Sequence, residues 1–380
     1  MRPNVKVFWT GSTPFLLIAG LAVYLNYSGV RPYLSNYPTE RLSQGLSGVA
    51  FTAPLLAGFC AWNVGRMRYL FLMPNRRSQL SAVCSLLLPT VAALIALHLI
   101  VAVWSAGLRL NPSSLALCLI VVLSLLASAA LGSSAGLTMH PAIGAPTAIL
   151  FLFAWYALPI ATDVTWLRTS NTSSILAACC APQKEPSGAA VLLSGVVSLA
   201  VIVGAAVSVI LRSRVARVVM LCFAIALAGA LARFIGQQGN TYDGLQDRTT
   251  ELPCFIDDGL RLCVWPENSR YADGKLGELA DARDRLKFLA LQFPEDWTES
   301  PYVGTSAVAT VAEGANPDAR RFSIAISLSH YWRCTRDPTA DFVLGLTLKL
   351  GASAKAFSAY QSDRLERRTQ ELVALSDESR

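Results

Sequence analysis

Long runs of apolar residues alternate with short polar or Pro/Gly breaks over the first 235 residues of this 380-residue chain. Each run has close to the ~20 residues that a helix needs to cross a bilayer, where the backbone must satisfy its own hydrogen bonds. The pattern predicts seven transmembrane helices, at Thr10–Tyr27, Leu46–Gly65, Leu80–Ser105, Leu115–Leu137, Ala142–Ala161, Ala189–Leu211 and Val218–Ile235. Four prolines in three of these spans can kink their helices: Pro54, Pro89, Pro146 and Pro159.

Beyond Gln237 the pattern becomes amphipathic, as in a soluble domain. Apolar residues at near-helical spacing predict a helix over Leu276–Phe293, whereas Phe322–Leu328 fits either a strand or a helix. Asp341–Tyr360 and Arg364–Leu375 are further predicted helices. The predicted fold is an α-helical polytopic membrane protein with about seven transmembrane helices in residues 1–236 and a small α+β extracytoplasmic domain in residues 237–380.

Charge changes sign between these two parts. The first 235 residues hold 15 Lys/Arg and three acidic residues, and the remaining 145 residues hold 17 Lys/Arg and 22 Asp/Glu. The net charge of +7 therefore comes entirely from the apolar part. We interpret it as a signal of membrane topology and not as a nucleic-acid-binding surface.

Basic residues concentrate in two of the links between spans. One link contains Arg66, Arg68, Arg76 and Arg77, and the other contains Arg212, Arg214 and Arg217. Loops rich in Lys and Arg stay on the cytoplasmic side, and the four spans between these two links keep both on one side. The N-terminus is then cytoplasmic, and seven spans place the C-terminal domain outside, together with the loops 28–45, 106–114 and 162–188.

Cysteines divide according to the same topology. Four of the nine fall inside spans, where a small packed hydrophobe is expected, and five fall in segments predicted to be extracytoplasmic: Cys179, Cys180, Cys254, Cys263 and Cys334. Cys254 and Cys263 flank two short strands joined at Asp258–Gly259, a strong hairpin signal, and are therefore predicted to pair. The pairing of the other three stays open. Metal binding is the alternative, with only His330 at a ligand-like spacing from Cys334.

Patterns of catalytic residues are missing from the sequence. It has no Gly-x-x-x-x-Gly-Lys-Ser/Thr phosphate loop and no His-Glu-x-x-His pair, and its histidines are scattered. We therefore expect no enzyme activity, cofactor or metal. His98, in the middle of a span, either marks a pathway or is a neutral imidazole bonded to a neighbouring helix. Trp265 is expected to anchor the core of the C-terminal domain.

Two stretches carry a family resemblance. Ala61–Arg68, followed by Pro74–Ser78, resembles the cytoplasmic segment of actinobacterial membrane proteins related to ABC transporter type-2 permeases. Cys263–Glu267, after the last span, resembles the external domain appended to some of them. The resemblance implies a permease subunit that works with a separate ATPase. It also implies that Arg66, Arg68, Arg76 and Arg77 belong to a coupling segment, for which an ordinary positive-inside loop is the alternative.

The chain departs from the usual permease in its seventh span and its external C-terminal domain. Two hypotheses of function follow. The first is a non-catalytic, permease-like subunit of an ABC-type export system, and the second is a membrane-anchored sensor or binding protein that acts through its disulfide-bearing external domain. The expected partners are the lipid bilayer and a separate ATPase subunit, and a homodimer is also compatible with the sequence.

Overall fold

A computed structural model gives the fold of this chain. It describes residues 5–30, 37–67, 76–162, 164–179, 184–211, 213–236, 244–287, 293–299 and 307–308, together with 321, 324–325 and 327–328. The chain separates into two units, Met1–Arg248 and Thr249–Arg380.

The first unit is built almost entirely of helices. They are α1 (Val5–Val30), α2 (Pro38–Leu46), α3 (Val49–Arg66), α4 (Arg76–Ser105), α5 (Pro112–Thr138), α6 (Pro141–Ala161), α7 (Thr165–Ser170), α8 (Thr172–Ala178), α9 (Gly188–Ile210) and α10 (Arg214–Gly236). Side chains cap several of them: Asn111, for example, accepts a hydrogen bond from the Ser114 N–H at the start of α5.

Five helical segments among the described residues are long and apolar enough to cross a membrane. They are Pro38–Arg66, Leu87–Ser105, Pro112–Thr138, Pro141–Ala161 and Gly188–Ser208. This finding confirms a helical, multi-pass membrane architecture. The predicted first and seventh spans coincide with α1 and α10, of 26 and 23 residues, and their crossing of the membrane stays a prediction.

Helices α3 and α5 form the tightest contact in the core of this unit. They run in the same direction, with small residues at four-residue spacing on both: Ala57, Ala61 and Gly65 on α3 face Gly132 and Gly136 on α5. A Cβ atom added to Gly136 would lie 2.5 Å from the Ala61 carbonyl oxygen. Small residues at this spacing let helix backbones approach closely in a bilayer.

Polar contacts show which helix ends lie together. At one end, Gly65 abuts Pro141 at the start of α6, and the hydroxyls of Ser134 and Ser208 lie 3.0 Å apart. Both arginine-bearing links, after α3 and after α9, are therefore at this end, which we call the arginine end. At the other end, the Ser43 hydroxyl of α2 donates to the Cys179 carbonyl at 3.0 Å. We call it the Cys179 end.

A two-stranded antiparallel ladder lies at the Cys179 end. Strand β1 (Lys184–Pro186) pairs with β2 (Leu245–Asp247), and Glu185 accepts hydrogen bonds from Ser113 and Gln246. The stretch after α10 thus belongs to the first unit as far as Arg248, whereas the sequence prediction assigned everything from residue 237 to the C-terminal domain.

The second unit contains the predicted disulfide hairpin. Strands β3 (Cys254–Asp257) and β4 (Leu260–Cys263) pair antiparallel with Cys254 opposite Cys263, and these two cysteines form a disulfide. Asp258 and Gly259 both have positive φ, as a two-residue type I′ turn requires. The prediction of this pair from the sequence is therefore confirmed.

The other described residues of this unit include a small mixed sheet, a 3-10 helix at Pro266–Tyr271 and a longer helix that packs on the sheet. Strand β4 is parallel to β5 (Asp296–Thr298), which is parallel to β6 (Ala307–Val308), and α11 (Ala272–Leu286) packs against β3 and β4. Trp265 is buried, as expected of a core anchor. Helix α11 begins four residues before the predicted start. The described residues of the stretch 322–328 are helical, and the two helices predicted after 340 lie outside the described residues.

Candidate functional site

The most unusual feature of the helical unit is a hairpin of two short helices buried between longer ones. Helices α7 and α8 meet at Asn171, in a segment that the sequence predicts as an external loop. Six consecutive polar residues, 169–174, surround this junction, and each is at most 6% exposed. Irregular backbone at membrane depth is tolerated only where protein covers it or where it lines a cavity. The hairpin therefore needs specific partners.

Arg168 fixes the entry to the hairpin. Its guanidinium group donates to the carbonyls of Pro159 and Ile160, at 3.2 and 3.0 Å, in the last turn of α6. These carbonyls have no further helical turn to bond, and a cation near a helix C-terminus is favoured by the helix dipole. Helix α7, with Arg168 in its last turn, is thereby attached to the end of α6.

The Asn171 side chain holds the tip of the hairpin by bonding the Trp155 carbonyl, which Pro159 leaves without a helical partner. The Trp155 carbonyl would normally accept from the N–H group four residues later, but that residue is Pro159, which has none. The Asn171 amide donates to this carbonyl at 2.7 Å. The other end of the same side chain accepts from the N–H of Ser173 at 2.9 Å and so caps α8.

Hydroxyl groups join the tip to the surrounding helices. The Thr172 hydroxyl lies 2.6 Å from that of Ser124 on α5 and 2.7 Å from that of Ser194 on α9. The Ser173 hydroxyl donates to the Tyr156 carbonyl on α6 at 2.7 Å. Ser124 is the thirteenth residue of the 27-residue helix α5, so the tip reaches about half-way along it.

The exit of the hairpin is held by α2. Ser43 and Gln44 donate to the Cys179 carbonyl, at 3.0 and 3.3 Å, just after α8 ends. Cys179 is itself disulfide-bonded, and the other predicted members of this group, Cys180 and Cys334, lie outside the described residues.

A cavity of about 160 Å³ lies next to the hairpin tip, open on one side. It is lined by residues of α5, α6, α9 and α10 and of the hairpin: Ser124, Ala127, Ser128, Leu131, Phe151, Leu152, Trp155, Tyr156, Trp166, Ser170, Thr172, Ser194, Val197, Ser198, Val201 and Gly229. Among these there is no charged side chain. The polar side-chain groups are hydroxyls and the indole N–H groups of Trp155 and Trp166, and the bulk of the lining comes from aromatic and aliphatic side chains.

Most of the hydroxyl groups that line the cavity have partners within the protein. The Ser128 hydroxyl donates to the Ser124 carbonyl at 2.8 Å, and the Ser170 hydroxyl donates to the Leu167 carbonyl at 3.1 Å. The Ser198 hydroxyl differs, because it makes no hydrogen bond to any residue that the structure describes, although Ser198 is only 6% exposed. The Ser198 oxygen is not among the fully enclosed unpaired atoms of the described residues, so from its place in the cavity lining it is accessible to a bound ligand.

The residues singled out from the sequence lie elsewhere. Arg66 ends α3, with its guanidinium carbon 5.9 Å from the centre of the Trp62 ring. Arg76 and Arg77 begin α4, and Arg68 lies outside the described residues. Arg66, Arg76 and Arg77 are at helix termini at the arginine end, and none of these three lines the cavity.

His98 is a buried structural residue. Its Nδ1 lies 2.9 Å from the Leu94 carbonyl, and its Nε2 lies 3.0 Å from the Thr52 hydroxyl on α3. A carbonyl can only accept, so Nδ1 carries a proton, while the Thr52 hydroxyl that contacts Nε2 also lies 3.2 Å from the Gly48 carbonyl within α3. The geometry agrees with the neutral imidazole bonded to a neighbouring helix that the sequence offered as one of two alternatives.

A buried carboxylate is the main polar feature of the second unit. Glu299 forms an ion pair with Lys275 and accepts from the backbone N–H of Trp265 at 2.7 Å and from the side-chain amide of Asn268 at 3.0 Å. Both charged side chains are less than 10% exposed. Each oxygen of the carboxylate has a donor, which is the condition for a stabilising buried pair. This cluster links the loop after β4, α11 and the end of β5.

The sequence reasoning missed the hairpin and the cavity. A polar run without apolar periodicity, between two spans, is typical of an external loop. The one available signal was the composition of residues 169–174, which are Ser, Thr and Asn with no charged residue. Uncharged polar side chains are buried more often than charged ones, whereas a solvated loop has no reason to lack charge. The comparisons with known proteins give no further guide, since no family model, curated protein or solved structure matches this chain.

Proposed function

We propose that this chain is the membrane-spanning, permease-like subunit of an ABC-type export system, without catalytic residues of its own and driven by a separate ATPase. The observation that carries the proposal is the buried hairpin of α7 and α8. Broken helices that end at membrane depth commonly form the binding sites of transporters, and their polar backbone is tolerated only where protein covers it or where it lines a cavity. A membrane anchor for an external domain needs no such feature.

The proposed orientation places the arginine end in the cytoplasm and the Cys179 end outside, with seven spans in all. Two independent features support it. Basic links favour the cytoplasmic side, and disulfides such as that of Cys179 persist in oxidising compartments. The coupling segment from Arg66 to Arg77 then faces the compartment that holds ATP.

The second hypothesis, a sensor or binding protein, draws its support from the C-terminal unit. That unit has its own hydrophobic core and a disulfide-bonded hairpin, as a ligand-binding ectodomain does. The two hypotheses differ in one respect that an experiment can reach, because only the permease requires a partner that hydrolyses ATP.

Purification of the full chain from its native membranes in a mild detergent tests the proposal. The expected result is a co-purifying protein with ATP hydrolysis activity. A variant with R66Q, R76Q and R77Q should lose this partner, whereas a variant with R212Q, R214Q and R217Q, which removes the same charge from the same end, should retain it. Purification without any ATP-hydrolysing partner would refute the permease and leave the sensor.

A further inference from the structure

We propose that the cavity beside the hairpin binds an uncharged, hydroxyl-bearing lipid, which enters sideways from the bilayer. The proposal rests on the proposed function in naming the cargo of the permease and in taking α10 as one of its membrane spans, whereas binding itself requires no ATPase. The opening, the lining and the size of the cavity support it.

The open side of the cavity is bounded by α6 and α10. Phe151 at this side is 45% exposed, and a Cβ atom added to Gly229 would meet no atom within 4 Å. On either side of the opening, α6 exposes Leu150 and Phe153, and α10 exposes Leu227. Large apolar residues exposed on helices of this kind face lipid. The cavity is therefore continuous with the hydrocarbon region and not with water.

The lining selects against charge. Within the described residues no Lys, Arg, Asp, Glu or His lines the cavity, so an ionic head group would lose its hydration without gaining a counter-charge. A hydroxyl group suits it better, since the Ser198 hydroxyl has a free donor and acceptor there. One alcohol can satisfy that side chain and be satisfied by it.

The size of the cavity limits how much of the ligand is enclosed. A volume of about 160 Å³ is close to that of an apolar protein cavity of about 150 Å³ that accommodates one benzene ring. It accepts an alcohol head with the first few carbons of its chain, or a single ring. The remainder of a lipid chain lies in the bilayer through the opening at Phe151 and Gly229. The aromatic side chains of Trp155 and Trp166 provide the apolar wall.

Photolabelling of the purified full chain in lipid nanodiscs tests this assignment. Three probes share one sixteen-carbon chain with a diazirine near one end (on the order of a few carbons from the head, to match the enclosed volume), and they differ only in bearing a hydroxyl group, a sulfate ester or no head group. The expected result is that the alcohol labels peptides of α6 and α9 that line the cavity, more strongly than the hydrocarbon, while the sulfate labels them at background level.

Two variants and one control identify the site. Gly229→Leu fills the open side and should abolish cavity labelling, whereas Gly188→Leu, at another position with no atom within 4 Å of the added Cβ, should leave it intact. Ser198→Val should remove the advantage of the alcohol over the hydrocarbon without reducing hydrocarbon labelling. Equal labelling by alcohol and sulfate, or undiminished labelling of a folded Gly229→Leu variant, overturns the proposal. Because the measurement involves no ATPase, its failure leaves the test of the permease unaffected.

Discussion

At the scale of single residues, the hydrogen bond between the Asn171 amide and the Trp155 carbonyl depends on Pro159, which is adjacent to neither residue in the sequence. Pro159 removes the N–H group that would otherwise bond this carbonyl within α6. The carbonyl is then left for the hairpin, and the Asn171 amide lies 2.7 Å from it. A residue that weakens one helix thus creates the attachment point for another.

This dependence predicts a particular double-mutant cycle. Asn171→Ala should lower the free energy of unfolding by about 1–3 kcal/mol, because it removes the cap of α8 and leaves a buried carbonyl unpaired. In a Pro159→Ala background the cost should be smaller, since the N–H of the new alanine can bond Trp155. Thermal unfolding in detergent measures both, and equal costs in the two backgrounds would contradict the mechanism. Asn63→Ala is the control: the Asn63 amide bonds only within α3, so the cost of this substitution should not depend on residue 159.

A second prediction at this scale concerns the buried ion pair of the C-terminal unit. Lys275→Met alone should destabilise that unit by about 3–5 kcal/mol, because it leaves the Glu299 carboxylate buried without its counter-charge. Adding Glu299→Gln should recover much of the loss, since glutamine keeps an acceptor for the Trp265 N–H. Protease sensitivity of the full-length chain reports the effect, with cleavage mapped to residues after 249. Additive losses in the double variant would show that the two charges are not coupled.

At the scale of elements, the contact between α3 and α5 is the least tolerant of added volume. Gly132→Ala places a methyl group against the Ala57 backbone, and Gly136→Ala does the same at Ala61. Each substitution should force the two helices apart and reduce the amount of folded protein, as measured by size-exclusion chromatography in detergent. Gly195→Ala on α9, where the nearest atom is 3.7 Å away, should behave as wild type. Comparable losses at all three positions would contradict the packing explanation, because only the first two substitutions place the new methyl group against a neighbouring backbone, and alanine otherwise favours a helix over glycine.

The elements also show what the sequence can and cannot predict. Apolar runs near Leu115–Leu137 or Ala189–Leu211 locate helices, because the bilayer imposes length and composition on each of them separately. The hairpin at Asp258–Gly259 is predictable for a similar reason, since its turn and its opposed cysteines are local. The α7–α8 hairpin was not predicted, because its burial depends on carbonyls of α6 and hydroxyls of α5 and α9, which are distant in the sequence. The cavity could not be predicted for the same reason, since it exists only in the packing of six helices, α5 to α10.

At the scale of the whole molecule, the proposed orientation can be tested with two single cysteines. Gln246→Cys is in β2 at the Cys179 end, and Ser213→Cys is in the link between α9 and α10; both positions are exposed. A membrane-impermeant maleimide applied to intact cells should label the first, and it should label the second only after permeabilisation. The wild-type chain gives the background from native thiols such as Cys222. The reverse pattern would invert the orientation.

The pairing of β1 with β2 has a mechanical consequence for helix α9, which lines the cavity. Strand β1 ends two residues before α9 begins, and the Ser187 N–H donates to the Gly244 carbonyl at 2.9 Å, so the start of α9 is bonded to the segment that carries β2. At the arginine end, three residues separate α9 from α10, and the Arg217 side chain donates to the Leu211 carbonyl at 2.8 Å. A displacement of α9 at the Cys179 end must therefore move β2 with it or break this ladder.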